Sequence, residues 1–233
     1  MRKFLISGMA IAAGQMFLPL ANAGTPGVYH PYVNQAEREI EYGLVRRDLG
    51  GDAVNLQRAS FGYSWTDNLA TEFYVLSEFP THDQARARAV EVEVRWQLTE
   101  QGEYASDWGL LFEAEIGTDT DRHALAAGVL WEKELGHRFV AAANALVEVE
   151  FGSAIENEIE TEFRGQLRYL KHPLFEPAIE LYSDDIDKAI GPVVLGTARI
   201  AEGRKIHWEA GMLFGLDRAT PDRSLRLGIE FEF

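Results

Sequence analysis

The feature that most constrains this chain is a strict period of two that recurs along nearly its whole length. At the end of the sequence Leu225, Leu227, Ile229, Phe231 and Phe233 alternate with Arg226, Gly228, Glu230 and Glu232. Successive side chains of a β-strand point to opposite faces, so this segment is a strand with one apolar and one polar face. In 88–98, Val90, Val92, Val94, Trp96 and Leu98 oppose Glu91, Glu93, Arg95 and Gln97. In 158–170, Ile159, Phe163, Leu167 and Tyr169 oppose Glu158, Glu160, Glu162, Arg164 and Arg168. The segments read as strands are 37–47, 54–65, 69–79, 88–98, 106–117, 122–134, 138–151, 158–170, 175–183, 192–201, 205–216 and 223–233. Soluble strands are commonly about five or six residues long, whereas a tilted membrane-crossing strand needs about nine to eleven. These segments run to about ten to fourteen, which matches the second case. The expected fold is all-β: a closed antiparallel up-and-down transmembrane β-barrel of about twelve strands. In the segment from Pro192 to Ala201 both faces are apolar, and its register stays open.

The front of the chain reads as an export signal. Arg2 and Lys3 precede a largely apolar run from Phe4 to Leu20, and Ala21-Asn22-Ala23 is a small-x-small cleavage site. The expected organisation is a signal peptide over 1–23, a periplasmic N-terminal segment over 24–36 and the barrel over 37–233. After the leader no run of 18 apolar residues occurs, so no transmembrane helix is expected. With no cysteine, disulfides, thiolate metal sites and cysteine nucleophiles are excluded. The net charge of −15 argues against nucleic acid as a partner, which calls for a basic stripe. No cofactor or metal is called. Asp184-Asp185-x-Asp187 and Asp119-x-Asp121 are oxygen-rich but match no defined calcium loop, and read as solvated turns. Tyr29-His30-Pro31-Tyr32 carries groups that could contact the lumen as a short plug, but the expectation is an ordinary frayed terminus.

An even strand number puts both termini on the periplasmic side of an outer-membrane barrel. On that count Trp65, Trp96, Trp108, Trp131 and Trp208 all fall at the periplasmic rim, facing outward, as an aromatic girdle, joined by Tyr169, Phe175 and Phe233. Phe79, Phe151 and Phe214 are candidates for the outer girdle. Thr66-Asp67-Asn68, Leu135-Gly136-His137 and Glu202-Gly203-Arg204 read as tight periplasmic turns. Pro80–Ala87, Gly152–Asn157, Ser183–Gly191 and Asp217–Asp222 read as external loops.

The face opposite the apolar one is acidic. Glu39, Glu41, Glu72, Glu91, Glu93, Glu113, Glu115, Glu148, Glu150, Glu158, Glu160, Glu162, Glu209 and Glu230 are expected to point inward, with Arg58, Arg95, Arg164, Arg168 and Arg226. A barrel of eight strands is filled by side chains and one of sixteen holds an aqueous channel, so about twelve lies between. Two readings stay open. Excess carboxylates could form a field that admits cations and repels anions, or Glu and Arg could pair across strands and plug the lumen. The candidates for a selectivity lining are Glu91, Glu93, Arg95, Glu113, Glu115, Glu158, Glu160, Glu162 and Arg164.

The cleavage site, the alternating strands and the terminal Glu230-Phe231-Glu232-Phe233 together resemble outer-membrane β-barrels of Gram-negative bacteria over essentially the whole chain. That resemblance implies residence in the outer membrane, contact with its lipids and lipopolysaccharide, and assembly by the barrel machinery, with Phe231 and Phe233 as the assembly signal. More narrowly, Tyr63-Ser64-Trp65-Thr66-Asp67-Asn68-Leu69 resembles a turn pattern of outer-membrane transporters grouped with phenol meta-pathway proteins. It would imply uptake of small solutes. The resulting expectation is a porin-like channel or transporter for small solutes with a cation-favouring lumen. One alternative is a non-transporting structural or surface-interaction barrel. Another is a lipid-modifying enzyme, but the His-x-Ser pair of the outer-membrane phospholipase type does not occur here, so no catalytic residue is assigned and the chain is read as no enzyme.

Overall fold

A computed structural model describes residues 27–48, 50, 52–81, 84–118 and 121–233. The expected leader and cleavage site lie outside these residues, as do His82 and Asp119. Twelve strands follow one another: β1 (Arg38–Asp48), β2 (Ala53–Ser64), β3 (Leu69–Pro80), β4 (Arg86–Gln97), β5 (Asp107–Gly117), β6 (His123–Leu135), β7 (Phe139–Phe151), β8 (Glu158–Tyr169), β9 (Glu176–Ser183), β10 (Lys188–Ala201), β11 (Arg204–Gly215) and β12 (Arg223–Glu232). Each pairs antiparallel with its sequence neighbours, and β12 returns to β1 to close the barrel. The seam runs from Glu39 opposite Glu232 to Asp48 opposite Arg223. Closure leaves no edge strand, and where β8 runs past the end of the short β9 the Thr161 amide donates to Asp185 at 3.0 Å instead.

Alternation sorts the side chains as the sequence demands. Ile40, Phe73, Val75, Phe112, Val147 and Ile229 lie exposed on the outer wall, while their strand neighbours are turned inward and wholly or partly covered. An apolar outer wall around a polar interior inverts the arrangement of a water-soluble domain. The terminal Phe233 completes the seam, its backbone exchanging hydrogen bonds with Arg38 at 2.8 and 3.2 Å, and its ring stacks on Phe231 at 5.2 Å.

Strand bounds differ from the sequence reading by a residue or two except in β10. That strand begins at Lys188, four residues before Pro192, and pairs with β9 from Ser183 onward. Its connection to β9 is therefore a tight turn in which Asp184 accepts from the amides of Ile186 and Asp187, not the expected loop over Ser183–Gly191. The open register is resolved with Val193 buried in the lumen and Ile190 on the outer wall. Between β3 and β4 the register slips at Leu76/Ser77. This bulge re-aims Arg88, at an outward position by strict alternation, so that it pairs with Glu78 inside.

The end of the barrel where β1 begins and β12 ends is called terminal here, and the opposite one distal. The link over 98–106 is the longest at the terminal end. The turns at Gly136 and Gly203 are tight, with positive φ values of 71° and 68° that glycine adopts without strain.

Candidate functional site: an acidic lumen and the segment that fills it

The lumen is built from the inward residue of every strand pair. Each basic side chain that reaches it meets carboxylates. Arg58 pairs with Glu41 at 3.2 Å, Arg164 with Glu162 at 2.7 Å, Arg168 with Glu176 at 3.5 Å, and Arg95 with Glu72. Deepest of all is Arg226, with a relative exposure of 0%, which bonds Glu180 at 2.7 Å, Glu209 at 3.0 Å and the Tyr182 hydroxyl. Pairing of Glu with Arg therefore holds in one part of the lumen.

It does not hold for the wall made by β4–β8. Reading across the ladders, one row runs Glu93, Glu113, Ala126, Glu148, Glu160, and the next runs Glu91, Glu115, Ala124, Glu150, Glu158. Among the described residues, Glu91, Glu93, Glu113, Glu115, Glu148 and Glu160 have no basic side chain within 4.0 Å. Glu150 has one, Arg122. Like charges directly opposite each other destabilise a sheet, so this wall must be held by water, protons, cations or other donors. Of the candidate lining residues, the structure places Glu91, Glu93, Arg95, Glu113, Glu115, Glu158, Glu160, Glu162 and Arg164 on the luminal face. It splits them into paired groups (Arg95 and Arg164, with Glu162) and a carboxylate wall. Glu148 and Glu150 complete that wall and were read only as inward-facing. The small inward residues Ala124 and Ala126 between two acidic columns were the available signal.

The second component of the site is the N-terminal segment, which is not frayed. It turns back from β1 into the lumen. The amide of Val33 donates to Gln97 Oε1 at 2.7 Å, and the Tyr32 hydroxyl bonds Asp107 at 2.8 Å and Glu132 at 3.1 Å. His30 bonds Glu132, and Pro31 sits against Gly109, where a Cβ would come within 3.0 Å of it. The Tyr29 backbone is held at both its N–H and C=O by the Asn144 amide, at 2.8 and 2.9 Å, and its hydroxyl donates to Glu93 at 2.5 Å. The Arg164 guanidinium lies 5.1 Å from the Tyr29 ring centre and donates to the Gly27 carbonyl. Val28 packs with Ala142, Tyr182, Val193 and Leu213, so the segment crosses from one wall to the other. The frayed expectation fails because a terminus is ordered wherever its backbone groups find buried partners, and Asn144, Gln97 and Arg164 supply them.

The five tryptophans lie on the outer surface at the terminal end, with Trp108 directly opposite Trp131 and Trp208 opposite Ile229. His207 meets Thr197 at 2.9 Å and Glu232 at 3.1 Å, on the two strands beside its own. At the distal rim Asp121 accepts from Ser153 and His123 together, and these hydrogen bonds hold its carboxyl below the usual range. That order is wrong for a hydrolase, in which the histidine must stand between nucleophile and acid. Burial raises the Asp187 carboxyl, against the pull of Arg47 at 3.1 Å.

No protein-family model and no curated protein matches the sequence. Solved structures do share the fold. An outer-membrane channel from Pseudomonas putida is 14% identical with a TM-score of 0.58, over 89% of this chain and 98% of its own. The KdgM porin in complex with disordered oligogalacturonate is 12% identical with a TM-score of 0.55, over 84% and 98%. The β domain of the Bordetella autotransporter BrkA is equally near, at 12% and 0.55, over 84% and 99%. The architecture is thus that of outer-membrane barrels, porins and channels among them. Function has to come from the lumen.

Proposed function

We propose that this chain is an outer-membrane channel for small cations whose resting lumen is closed by its own residues 27–33. The observation that carries the reading is the unbalanced carboxylate wall of β4–β8 facing a segment held only by hydrogen bonds and packing. A row of carboxylates without counter-ions attracts cations and repels anions, the logic of charged rings in pores. The segment's bonds to Glu93, Glu132 and Asn144 are individually exchangeable with water, so its departure needs no covalent change. The five rim tryptophans and the terminal Phe231 and Phe233 fit residence in the outer membrane, exported through a cleaved leader. Porins and a channel with the same fold support transport. The hairpin resembling phenol meta-pathway transporters would make the solute small.

The test is reconstitution in planar bilayers, with reversal potentials measured in a salt gradient. Wild type should show infrequent cation-selective openings, and Glu113→Gln with Glu160→Gln should lower cation preference. A lumen that conducts neither ion, even with the N-terminal segment weakened, would sink the proposal. The second reading is a non-transporting structural barrel, favoured by the fully buried Arg226–Glu180 pair and the filled waist. It predicts silence in that same experiment.

A further inference from the structure

We propose that Glu148, Glu150 and Glu160, with Glu115 beside them, form a binding site for one divalent cation of the calcium type in the distal half of the lumen. One carboxylate oxygen from each of the three lies within 4.8 Å of the others. Calcium takes oxygen ligands at about 2.3–2.6 Å, so two ligand atoms on its opposite sides stand about 4.6–5.2 Å apart. Magnesium, at about 2.0–2.1 Å, would require a tighter set.

Proximity of carboxylates alone is ordinary on an acidic surface. Here a second observation points to an occupant. Oε1 of Glu148 and Oε1 of Glu115 are both buried with no hydrogen-bond partner, in residues only 8% and 6% exposed. Buried polar atoms in proteins are almost always satisfied, and a bare carboxylate oxygen in a covered site is costly. Glu115 is not one of the three clustered residues. It faces the cluster across Ala124, whose other ladder neighbour is Glu150. Ala126 separates Glu113 from Glu148 in the same way, so two methyl groups stand where larger side chains would fill the space. A cavity with room for about one water-sized sphere opens beside the site, between Glu148, Glu160, Glu162 and Asp184, where a ligand water could complete the shell. Arg122 already neutralises part of Glu150, which leaves Glu148 and Glu160 as the ligands that gain most.

The site depends on the lumen's geometry and not on whether the barrel conducts. The experiment is calorimetric titration of the EDTA-stripped full-length barrel in detergent with CaCl2 and, separately, MgCl2. Fold is verified for every protein by heat-modifiable migration on gels. Wild type should bind one Ca2+ saturably and Mg2+ at least tenfold more weakly. Glu148→Gln and Glu160→Gln should each weaken Ca2+ at least tenfold, and Glu230→Gln, in a separate acidic cluster near the terminal end, should not. No saturable heat with wild type, equal binding of Mg2+, or an equal loss in Glu230→Gln would overturn the site. Because no bilayer is involved, a barrel that never conducts can still bind, and a conducting barrel can still fail to.

Discussion

At the scale of single residues the lumen holds two kinds of carboxylate, and they should respond differently to substitution. Glu180 is wholly buried and meets Arg226. Arg226→Met would leave Glu180 and Glu209 without their shared cation, and breaking a buried pair by removing one partner costs about 3–5 kcal/mol. The expected outcome is a large drop in the urea midpoint, partly recovered in Arg226→Met with Glu180→Gln. An unchanged midpoint would mean that water reaches the pair. A surface carboxylate behaves otherwise. Asp217 accepts from Thr220 N–H and Oγ1 and from the Ala219 amide, which hold its carboxyl below the ordinary value. A depressed carboxylate contributes its stabilisation above the unfolded pKa of about 3.9 and loses it as pH falls through the folded value. Exchange protection of the Ala219 and Thr220 amides, corrected for intrinsic rate, should therefore hold down to about pH 4 and drop as the pH falls further. Asp217→Asn should flatten that dependence.

At the scale of elements, the segment 27–33 is the part most open to experiment. Its anchors come from different strands: Gln97 on β4, Asp107 on β5, Glu132 on β6, Asn144 on β7 and Arg164 on β8. Tyr29→Ala with His30→Ala removes the hydroxyl bonded to Glu93, the ring under Arg164 and the imidazole bonded to Glu132. Single-channel recordings should then show longer openings than wild type, with the barrel still heat-modifiable. Unchanged open times would mean that this segment is a fixed part of the wall. Its position was not legible in the sequence, since nothing in Tyr29-His30-Pro31-Tyr32 names partners more than sixty residues away. The strands were legible because alternation is written locally, residue by residue. β10 was the exception: its first four residues read as part of a loop, yet Gly191 lies within the ladder, where a Cβ would run into the Met212 carbonyl. Pro192 faces the outer wall within the ladder. The bulge at Leu76/Ser77 was equally hidden, because it depends on how β3 and β4 slide past each other.

At the scale of the whole molecule, charge and fold separate. The count of acids and bases was visible from the composition, but which carboxylates remain without a cation depends on ladder neighbours. Glu162 and Glu160 are two residues apart on one strand, yet Arg164 serves Glu162 alone. The uncompensated charge gathers on β4–β8, so the field in the lumen is lopsided. Such a field is screened over a Debye length of about 10 Å at 0.1 M salt and about 3 Å at 1 M. If the carboxylate wall sets selectivity, the cation-over-anion permeability ratio should fall steeply as symmetric salt rises from 0.1 to 1 M. Glu113→Gln with Glu160→Gln should start lower and vary less. A ratio that stays constant with salt would assign selectivity to the width of the waist, since steric exclusion is indifferent to ionic strength. Titrating Ca2+ into the chamber at low salt adds a further constraint. A bound divalent ion at Glu148 and Glu160 would remove much of the field at one point, so the ratio should fall at Ca2+ concentrations far too low to screen the lumen as a whole.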